Sequence, residues 1–313
     1  MDFKQLRAFL KVAETGSVSR AAESLHLVQP AVSRQIKLLE DDVGAALFTR
    51  ERHGMVLTDA GQRLASYAHR AMLELDRARA EIGGAASAGV SGLVTLGLLP
   101  STIDRVAGPL VSAIAAQYPG IRMRIAMGYA GTLLRWLETG EVDAALLYGS
   151  GHYPQLQTTP LIEEPLWLIG RSDSGLRPDC AVPFSALAAC RLILPSAPHG
   201  IRALVDHACA VAQVTPDISV ETNALSVQCQ LVLHGHGLTI LPPSAVANEL
   251  QREQLTGAPL AQPDLSRTIV LALPGSRATA RHVRVAVDLL IAEARQSVAS
   301  GEWRQGRWLG PVD

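Results

Sequence analysis

The chain has 313 residues, of which 48% are hydrophobic, so it is long enough to bury more than one sizeable core. It carries 28 Lys and Arg against 29 Asp and Glu, a formal net charge of -1, which excludes a globally basic nucleic-acid-binding protein but not a local basic face. There is no CxxC spacing, no signal peptide and no apolar run long enough to span a membrane, so we expect a protein of the reducing cytoplasm. The four cysteines all lie in the second half, at Cys180, Cys190, Cys209 and Cys229.

Residues 1–57 predict a compact helical domain that ends in a hairpin. Apolar residues recur at helical spacing up to Thr15-Gly16, and Ser17 can cap a second short helix. A third helix follows the turn at 26–28, and the small Ala21 and Ala22 allow the close approach that a helix-turn-helix requires. The strand-like pieces ALFTR and GMVLT flank a polar tip, which is typical of a winged hairpin. The sequence therefore predicts a winged helix-turn-helix domain at 1–57.

The third helix carries a polar face opposite its apolar one. Such a face suits the DNA major groove, because an amide pairs with adenine, a guanidinium pairs with guanine or phosphate, and a proline ring can meet a thymine methyl. Residues 1–70 hold 10 basic and 8 acidic side chains, so charge alone leaves open an ordinary solvated helical face. The residues predicted to bind DNA are Gln29, Pro30, Ser33, Arg34 and Lys37 on the helix, with Arg50, Arg52, Lys4 and Arg7 as phosphate contacts.

Residues 58–82 predict a long helix with a narrow apolar seam. Thr58 can cap it, and Asp59 in the first turn suits the helix dipole. The alternation of intervals of four and three residues along the seam is typical of a coiled coil and predicts a dimerisation helix; the alternative is a helix that packs on its own domain. The Gly-, Ala- and Ser-rich residues 83–92 predict a hinge. The seam consists of Leu64, Ala68, Ala71, Leu75, Ala78 and Ile82.

From residue 93 to residue 298 the pattern alternates between strand and helix. Such alternation predicts mainly parallel sheets with helices on both faces, and such sheets bind ligands at the carboxyl ends of their strands. We predict two α/β subdomains, 93–162 with 268–298 and 163–267, separated by a cleft, and a tail at 299–313. The predicted strands are VTLGLL, IRMRIAM, VDAALLY, LWLIG, RLILP, LTILP and TIVLAL.

The stretch VAETGSVSRAAESLHLVQPAVSRQIKLLEDDVGAALFTRERHGMVLTDAG resembles the winged helix-turn-helix of the LysR-type transcriptional regulators over its whole length. A weaker likeness, including GLVTLGL and LETGEVDAALLYG, extends over nearly all of the chain except EWRQGRWLGPVD. Through LLPSTIDRVAGPL and DAALLYG, the regulatory half is most similar to the nitrogen-assimilation-control branch. The resemblance implies a homodimeric or homotetrameric activator or repressor that binds a dyad-symmetric promoter site and contacts RNA polymerase. It also implies a periplasmic-binding-protein-like domain that senses a small-molecule effector.

The family's DNA contacts carry over to named positions. Gln29, Pro30, Ser33 and Arg34 match its recognition helix, and Arg50 and Arg52 match its wing. Val28 departs from the family, since many members have Ser or Thr there as a helix cap. Without that hydroxyl, the cap must come from elsewhere, and we expect this chain to make one phosphate contact fewer than those members do.

The resemblance also places an effector pocket at four loops. Hydroxyls and free backbone N–H groups at two predicted helix starts suit an anion, and His199 and Arg202 are expected to add positive charge that favours a carboxylate. The alternative for each Ser or Thr is ordinary helix capping. The predicted effector-binding residues are Ser101, Thr102, Gly131, Thr132, Pro195, His199, Arg202, Asn223 and Val227.

Two alternatives concern chemistry rather than binding. An α/β enzyme is disfavoured because GxSxG, HExxH, GxxxxGK[ST] and a complete GxGxxG are missing, and His234 and His236 lack a partner for a metal. A redox-sensing regulator would use Cys180 and Cys190, but the segment DCAVPFSALAACRL does not resemble a known sensor segment. We therefore predict no catalytic residue, no cofactor and no metal site.

Overall fold

A computed structural model describes residues 1–51, 54–83, 89–149, 153–275 and 279–311, with the backbone alone for 73, 74 and 76–83. Contacts divide the chain into two compact units. The N-terminal unit comprises residues 1–88 with 138–141, and the C-terminal unit comprises 89–137 with 142–313.

The N-terminal unit contains three short helices, a hairpin and one long helix. Ser17 caps the second helix through its side chain. Gly16 and Gly44 follow the first and third helices with φ of 62° and 73°, left-handed values that suit glycine. The elements are α1 (Phe3–Thr15), α2 (Val18–Ser24), α3 (Gln29–Val43), β1 (Phe48–Glu51), β2 (Gly54–Leu57) and α4 (Asp59–Gly83).

The apolar faces of these helices meet in one core. Phe9 and Leu39 are fully buried in it, and Ala21 and Ala22 lie buried where α2 approaches its neighbours. The antiparallel hairpin β1–β2 is held against the turn after α1 by the N–H of Met55, which donates to the carbonyl of Gly16 at 2.9 Å. The predicted winged helix-turn-helix fold is confirmed, and Arg52 lies outside the described residues.

The long helix α4 begins on its own domain. Thr58 caps it, accepting the N–H of Gly61 at 3.0 Å. Ala68 is buried in the N-terminal core and Leu64 packs against that core, whereas Ala71 is exposed and Leu75 is half-buried. The first two seam positions therefore contact their own domain, as the alternative interpretation expected. The side chains of Ala78 and Ile82 lie outside the described residues.

The C-terminal unit contains two six-stranded sheets, each with its own core. The strands are β3 (Gly92–Leu98), β4 (Ile121–Met127), β5 (Ala144–Tyr148), β6 (Leu156–Pro165), β7 (Trp167–Arg171), β8 (Val182–Pro183), β9 (Arg191–Leu194), β10 (Asp217–Glu221), β11 (Leu238–Leu241), β12 (Leu255–Ala261), β13 (Ser266–Pro274) and β14 (Arg307–Trp308). The first sheet has the strand order β14-β6-β13-β5-β3-β4 and the second the order β10-β9-β11-β7-β12-β8. The helices are α5 (Ile103–Gln117), α6 (Ala130–Thr139), α7 (Gly200–Ala212), α8 (Leu225–Leu233), α9 (Ala247–Gln251) and α10 (Arg281–Ala299).

Both sheets are mixed, which corrects the prediction of mainly parallel sheets. β3 runs parallel to β4 and β5, and β9 runs parallel to β10 and β11. The antiparallel pairs arise because the chain crosses between the sheets twice, from β6 to β7 and from β12 to β13. The two crossing segments run in opposite directions, so β13 pairs antiparallel with β6, and β12 pairs antiparallel with β7.

The residues after α10 fold back onto the first sheet. Trp303 is 1% exposed, and β14 adds a strand to the edge of that sheet by pairing antiparallel with β6. Within the described ranges, no helix is both long enough and apolar enough to cross a membrane.

Candidate nucleic-acid interface and ligand cleft

The polar face of α3 lies in solvent. Val32, Ile36 and Leu39 point into the core. Among the residues that the structure describes, neither Arg34 nor Lys37 pairs with a carboxylate. The exposed residues on this face are Gln29, Pro30, Ser33, Arg34 and Lys37, which are the residues predicted to read DNA, and Arg50 is exposed on β1.

Two of the three acidic residues at the C-terminal end of α3 have partners of their own. Glu40 Oε1 accepts the N–H groups of Leu47 and Phe48 at 2.7 and 3.3 Å, which ties the helix to the start of the hairpin. Asp42 pairs with the terminal amine of Met1 at 2.6 Å. These carboxylates therefore stabilise the domain and leave the cations of the polar face available for phosphates.

The N-terminal end of α3 is apolar and uncapped. Val28 occupies the N-cap position but makes no side-chain hydrogen bond, as its lack of a hydroxyl predicts. A Ser, Thr, Asp or Asn cap would stabilise a helix by about 0.5–2 kcal/mol. Val28 is 70% exposed and Leu27 is 49% exposed, and Pro30 follows them on the first turn. An apolar tip therefore precedes the polar face.

In the C-terminal unit, four loops meet at a cleft between the two sheets. They follow the parallel strands β3 and β4 in one sheet, and β9 and β10 in the other, and each leads into a helix. The ring of Tyr129 lies 5.4 Å from the ring of His199, and the Tyr129 hydroxyl bonds with the backbone of Leu225 at the start of α8. Burial raises the pKa of Tyr129. This side chain, which the sequence did not single out, spans the cleft.

The predicted effector residues occupy different positions in these loops. Thr102 is fully buried and donates to the carbonyl of Leu99 at 3.0 Å, so its hydroxyl has a structural partner. Asn223 donates to the hydroxyl of Ser196 at 2.8 Å, which joins two of the loops. Gly131 and Val227 are exposed, Thr132 is half-buried, and Pro195 is buried.

The structure leaves little free positive charge on His199 and Arg202, the two residues expected to favour a carboxylate. Burial and the nearby charge of Arg267 lower the pKa of His199 to about 4, so its ring is neutral at pH 7. Arg202 pairs with the carboxylates of Asp206 and Glu221. Asp206 lies on the same helix as Arg202 and Glu221 lies on β10, so the two carboxylates together neutralise this guanidinium.

Instead, the cleft contains a buried cation that the sequence analysis missed. Arg267 is 3% exposed and pairs with Glu164, which is fully buried, at 2.6 Å. Its remaining N–H groups donate to Ser101 Oγ at 2.9 Å and to the Tyr148 hydroxyl at 3.2 Å. The guanidinium also lies 5.0 Å from the centre of the Tyr148 ring. Of the predicted effector residues, Ser101 is therefore the one that joins this ion pair.

The other oxygen of Glu164 connects the ion pair to the second sheet and to the tail. It accepts the hydroxyl of Ser244 and the indole N–H of Trp303, the latter at 3.0 Å. Glu164 is the last but one residue of β6 and Arg267 is the second residue of β13, so the pair holds together the two segments that cross between the sheets. A cavity of about 160 Å³ lies beside it, lined in part by Tyr148, Arg267 and Thr268.

Comparison with known proteins identifies the family. Residues 3–62 match the family model described as the bacterial regulatory helix-turn-helix protein of the lysR family. Residues 87–295 match the LysR substrate binding domain, and the two matches together cover most of the chain. The chain belongs to the LysR family of transcriptional regulators.

Relatives of this LysR-type regulator match it over nearly their full lengths. The HTH-type transcriptional regulator BbuR of Bordetella bronchiseptica is 30% identical, with 97% of this chain and 93% of BbuR covered. The nitrogen assimilation regulatory protein nac of Escherichia coli is 28% identical, with 93% and 94% covered. The solved structure of CbnR, a LysR family transcriptional regulator, has a TM-score of 0.71 at 21% identity, with 94% of this chain and 99% of CbnR covered.

The structure shows the surroundings of the residues considered for a redox or metal function. Cys180 and Cys190 are both free, and burial raises the pKa of Cys190, which disfavours the reactive thiolate. His234 and His236 lie with their rings 6.5 Å apart, and His234 bonds to the carbonyl of Gln230. In the described part of the chain, no group of three or more His, Cys, Asp or Glu could hold a metal ion.

The low pKa of His199 predicts a pH-dependent stability. An unfolded chain protonates His199 below pH 6.5, whereas the folded chain does so only near pH 4, so the free energy of unfolding falls as the pH falls through this window. We expect the melting temperature of His199→Asn to fall less between pH 6.5 and pH 4 than that of the wild type. Asparagine keeps an acceptor for the N–H of Ile201 at the start of α7.

The control for this measurement is the exposed histidine on the same helix. His207→Asn removes an exposed histidine ring and serves as the control for the loss of one histidine from this part of the chain. Differential scanning calorimetry should measure the melting temperatures of the wild type, His199→Asn and His207→Asn between pH 6.5 and pH 4. A wild-type pH dependence in His199→Asn would contradict the buried neutral state of this side chain.

Proposed function

We propose that α3 reads DNA through Gln29, Pro30, Ser33 and Arg34, while Lys37, Arg50 and Arg52 contact phosphates. The observation that carries this proposal is the exposed polar face on which Arg34 and Lys37, among the described residues, have no carboxylate partner. In helix-turn-helix proteins the second helix of the motif lies in the major groove. The solved complex of CbnR with its target DNA, which shares this fold at 22% identity and a TM-score of 0.69, gives the proposal further support.

The protein acts as a homodimer or homotetramer through α4. Ala71, Leu75, Ala78 and Ile82 continue the heptad seam beyond the turns that contact the N-terminal core. Pairing of these helices brings two recognition helices about one DNA turn apart, so that a modestly charged chain reads a dyad-symmetric promoter site. The part of the seam after Ala68 therefore pairs with the helix of a second subunit, whereas Leu64 and Ala68 hold α4 against its own domain.

The cleft of the C-terminal unit binds a small anionic effector. The favourable charge comes from the N-terminal ends of α5, α6, α7 and α8, which follow the four loops of the cleft, and not from His199 or Arg202. Thr132 and Ser101 supply hydroxyls, and Gly131 supplies an accessible backbone. A ligand held between the loops would change how the two sheets approach each other. This change would alter the spacing of the paired DNA-binding domains, and with it the bending of the promoter and the contact with RNA polymerase.

A panel of small carboxylic acids tests the effector proposal. A binding member at 100 times its Kd should stabilise the folded protein by about 2.7 kcal/mol and raise the melting temperature. Thr132→Val, which removes a half-buried hydroxyl without changing side-chain volume, should reduce that shift. Melting temperatures unchanged by every acid would contradict an anionic effector.

The protein regulates transcription in the cytoplasm without catalysis of its own. One residue considered for metal binding has a structural partner, since His234 bonds to the backbone carbonyl of Gln230. The family's established role in transcription provides the reason to place the activity in DNA binding.

Selection of bound sequences from a random duplex pool by the full-length protein tests the DNA proposal. We expect enrichment of a dyad-symmetric site whose half-sites lie about 10 base pairs, or a multiple of that, apart. The selection should be run at low salt, because phosphate contacts weaken steeply as salt rises. If no sequence is enriched, sequence-specific reading by α3 is wrong.

A further inference from the structure

The apolar tip of α3 has no partner in the described part of the protein. Val28 is 70% exposed at the N-cap position, and Leu27 beside it is 49% exposed. Valine at this position contributes neither a side-chain cap to the helix nor buried surface to the core. Its chemistry at this position therefore suits a contact outside the domain.

The major groove offers one apolar feature to such a side chain. The residues at the N-terminal end of a recognition helix are the ones that contact base edges. Among the groups displayed in the major groove, the C5-methyl of thymine is the apolar one, whereas the others are hydrogen-bond donors and acceptors. A valine cannot hydrogen bond with a base edge or a phosphate, but its two methyl groups can pack on a thymine methyl.

We propose that Val28 determines specificity by packing on the methyl group of a thymine in each half-site. The inference rests on the proposed DNA-binding role of α3. Val28 directly precedes Gln29 and Pro30 in the first turn of α3, and all three residues are exposed. Val28 determines the preference for an A·T pair at one position, whereas Gln29, Ser33 and Arg34 contact the neighbouring base pairs.

Replacement of thymine by uracil tests this contact directly, since uracil keeps every hydrogen-bonding group and lacks only the methyl. Duplexes of the selected site should carry uracil at one thymine position at a time, symmetrically in both half-sites, and binding should be measured by fluorescence anisotropy. For the wild type we expect one position at which uracil weakens binding by about fourfold per half-site, the factor expected for one buried methyl group. For Val28→Ala, the same substitution should leave the affinity unchanged.

Two further variants identify the side chain that makes the contact. Pro30→Ala should keep the uracil effect if Val28 makes the contact, and should lose it if the proline ring does. Val28→Thr, which has the same shape as valine and restores a capping hydroxyl, should melt at a higher temperature than the wild type and show a smaller uracil effect. Melting curves of Val28→Ala establish that this variant is folded.

The outcomes separate this inference from the proposed function. If the wild type binds one sequence specifically but Val28→Ala retains the full uracil effect, or if no uracil position matters, the role of Val28 is wrong and α3 still reads DNA. If the wild type shows no sequence preference at all, the proposed reading of DNA by α3 is wrong, and the role of Val28, which rests on it, is wrong as well. Loss of the uracil effect in Val28→Ala alone establishes the contact.

Discussion

Replacing Glu164 with glutamine is expected to destabilise the C-terminal unit by about 3–5 kcal/mol, the cost of leaving a buried charge without its partner. Arg267 is 3% exposed and keeps its charge under all ordinary conditions, so it cannot escape by losing a proton. The carboxylate of Glu164 accepts hydrogen bonds from Arg267, Ser244 and Trp303. Glutamine has one acceptor oxygen, and its NH₂ group would face a donor. For a unit of this size, we expect the melting temperature to fall by roughly 6–20 °C.

The neighbouring glutamate provides a matched control. Glu163 precedes Glu164 on β6 and pairs with Arg307 on the surface, where the guanidinium lowers the pKa of the Glu163 carboxyl. Exposed pairs of this kind contribute about 0–1 kcal/mol, so Glu163→Gln should melt close to the wild type. Equal melting temperatures for Glu163→Gln and Glu164→Gln would contradict the buried pair. A double variant, Glu164→Leu with Arg267→Met, should recover part of the lost stability, because neither charge is then buried alone.

This ion pair also shows where the sequence pattern was insufficient. The buried strands β3, β5, β9 and β11 were predicted because each is a short run of apolar residues between turn signals. β6 was missed because LQTTPLIEEP contains two prolines and two glutamates, and β12 was missed because LTGAPLA contains Gly and Pro. Glu164 lies on β6, and its partner Arg267 is 103 positions further along the chain, so the local pattern contained no sign that they meet.

The two candidate sites also differ in how much of each could be predicted from the sequence. The reading face of α3 follows from helical periodicity within fifteen residues, and the structure places all five of its predicted residues on the exposed side. The cleft depends on side chains brought together by two crossings between sheets. The sequence pattern therefore did not single out Tyr129 and Tyr148, and it contained no sign that Arg202 on α7 pairs with Glu221 on β10.

Replacing Arg34 with alanine is expected to weaken binding to the selected dyad-symmetric site by about 2–6 kcal/mol, roughly 30-fold to 10⁴-fold. A bidentate pair of arginine with guanine contributes about 1–3 kcal/mol, and a dimer makes two such pairs. The effect should be much smaller for unrelated DNA, since phosphate contacts remain. A second selection with the variant should therefore show relaxed preference at one position of each half-site.

Lys37 on the same face provides the contrast that distinguishes base reading from phosphate binding. Lys37→Ala should weaken binding to all sequences alike and lower the slope of log K against log salt by about 0.9 for each phosphate that the variant no longer neutralises. Arg122→Ala removes an exposed arginine from β4 in the other unit and should bind as the wild type does. If Arg34→Ala instead weakens all sequences equally and keeps the original selected site, Arg34 binds a phosphate. Base reading would then fall to Gln29, Ser33 and the apolar tip at Val28, whose thymine contact depends on no charge and so should persist at high salt.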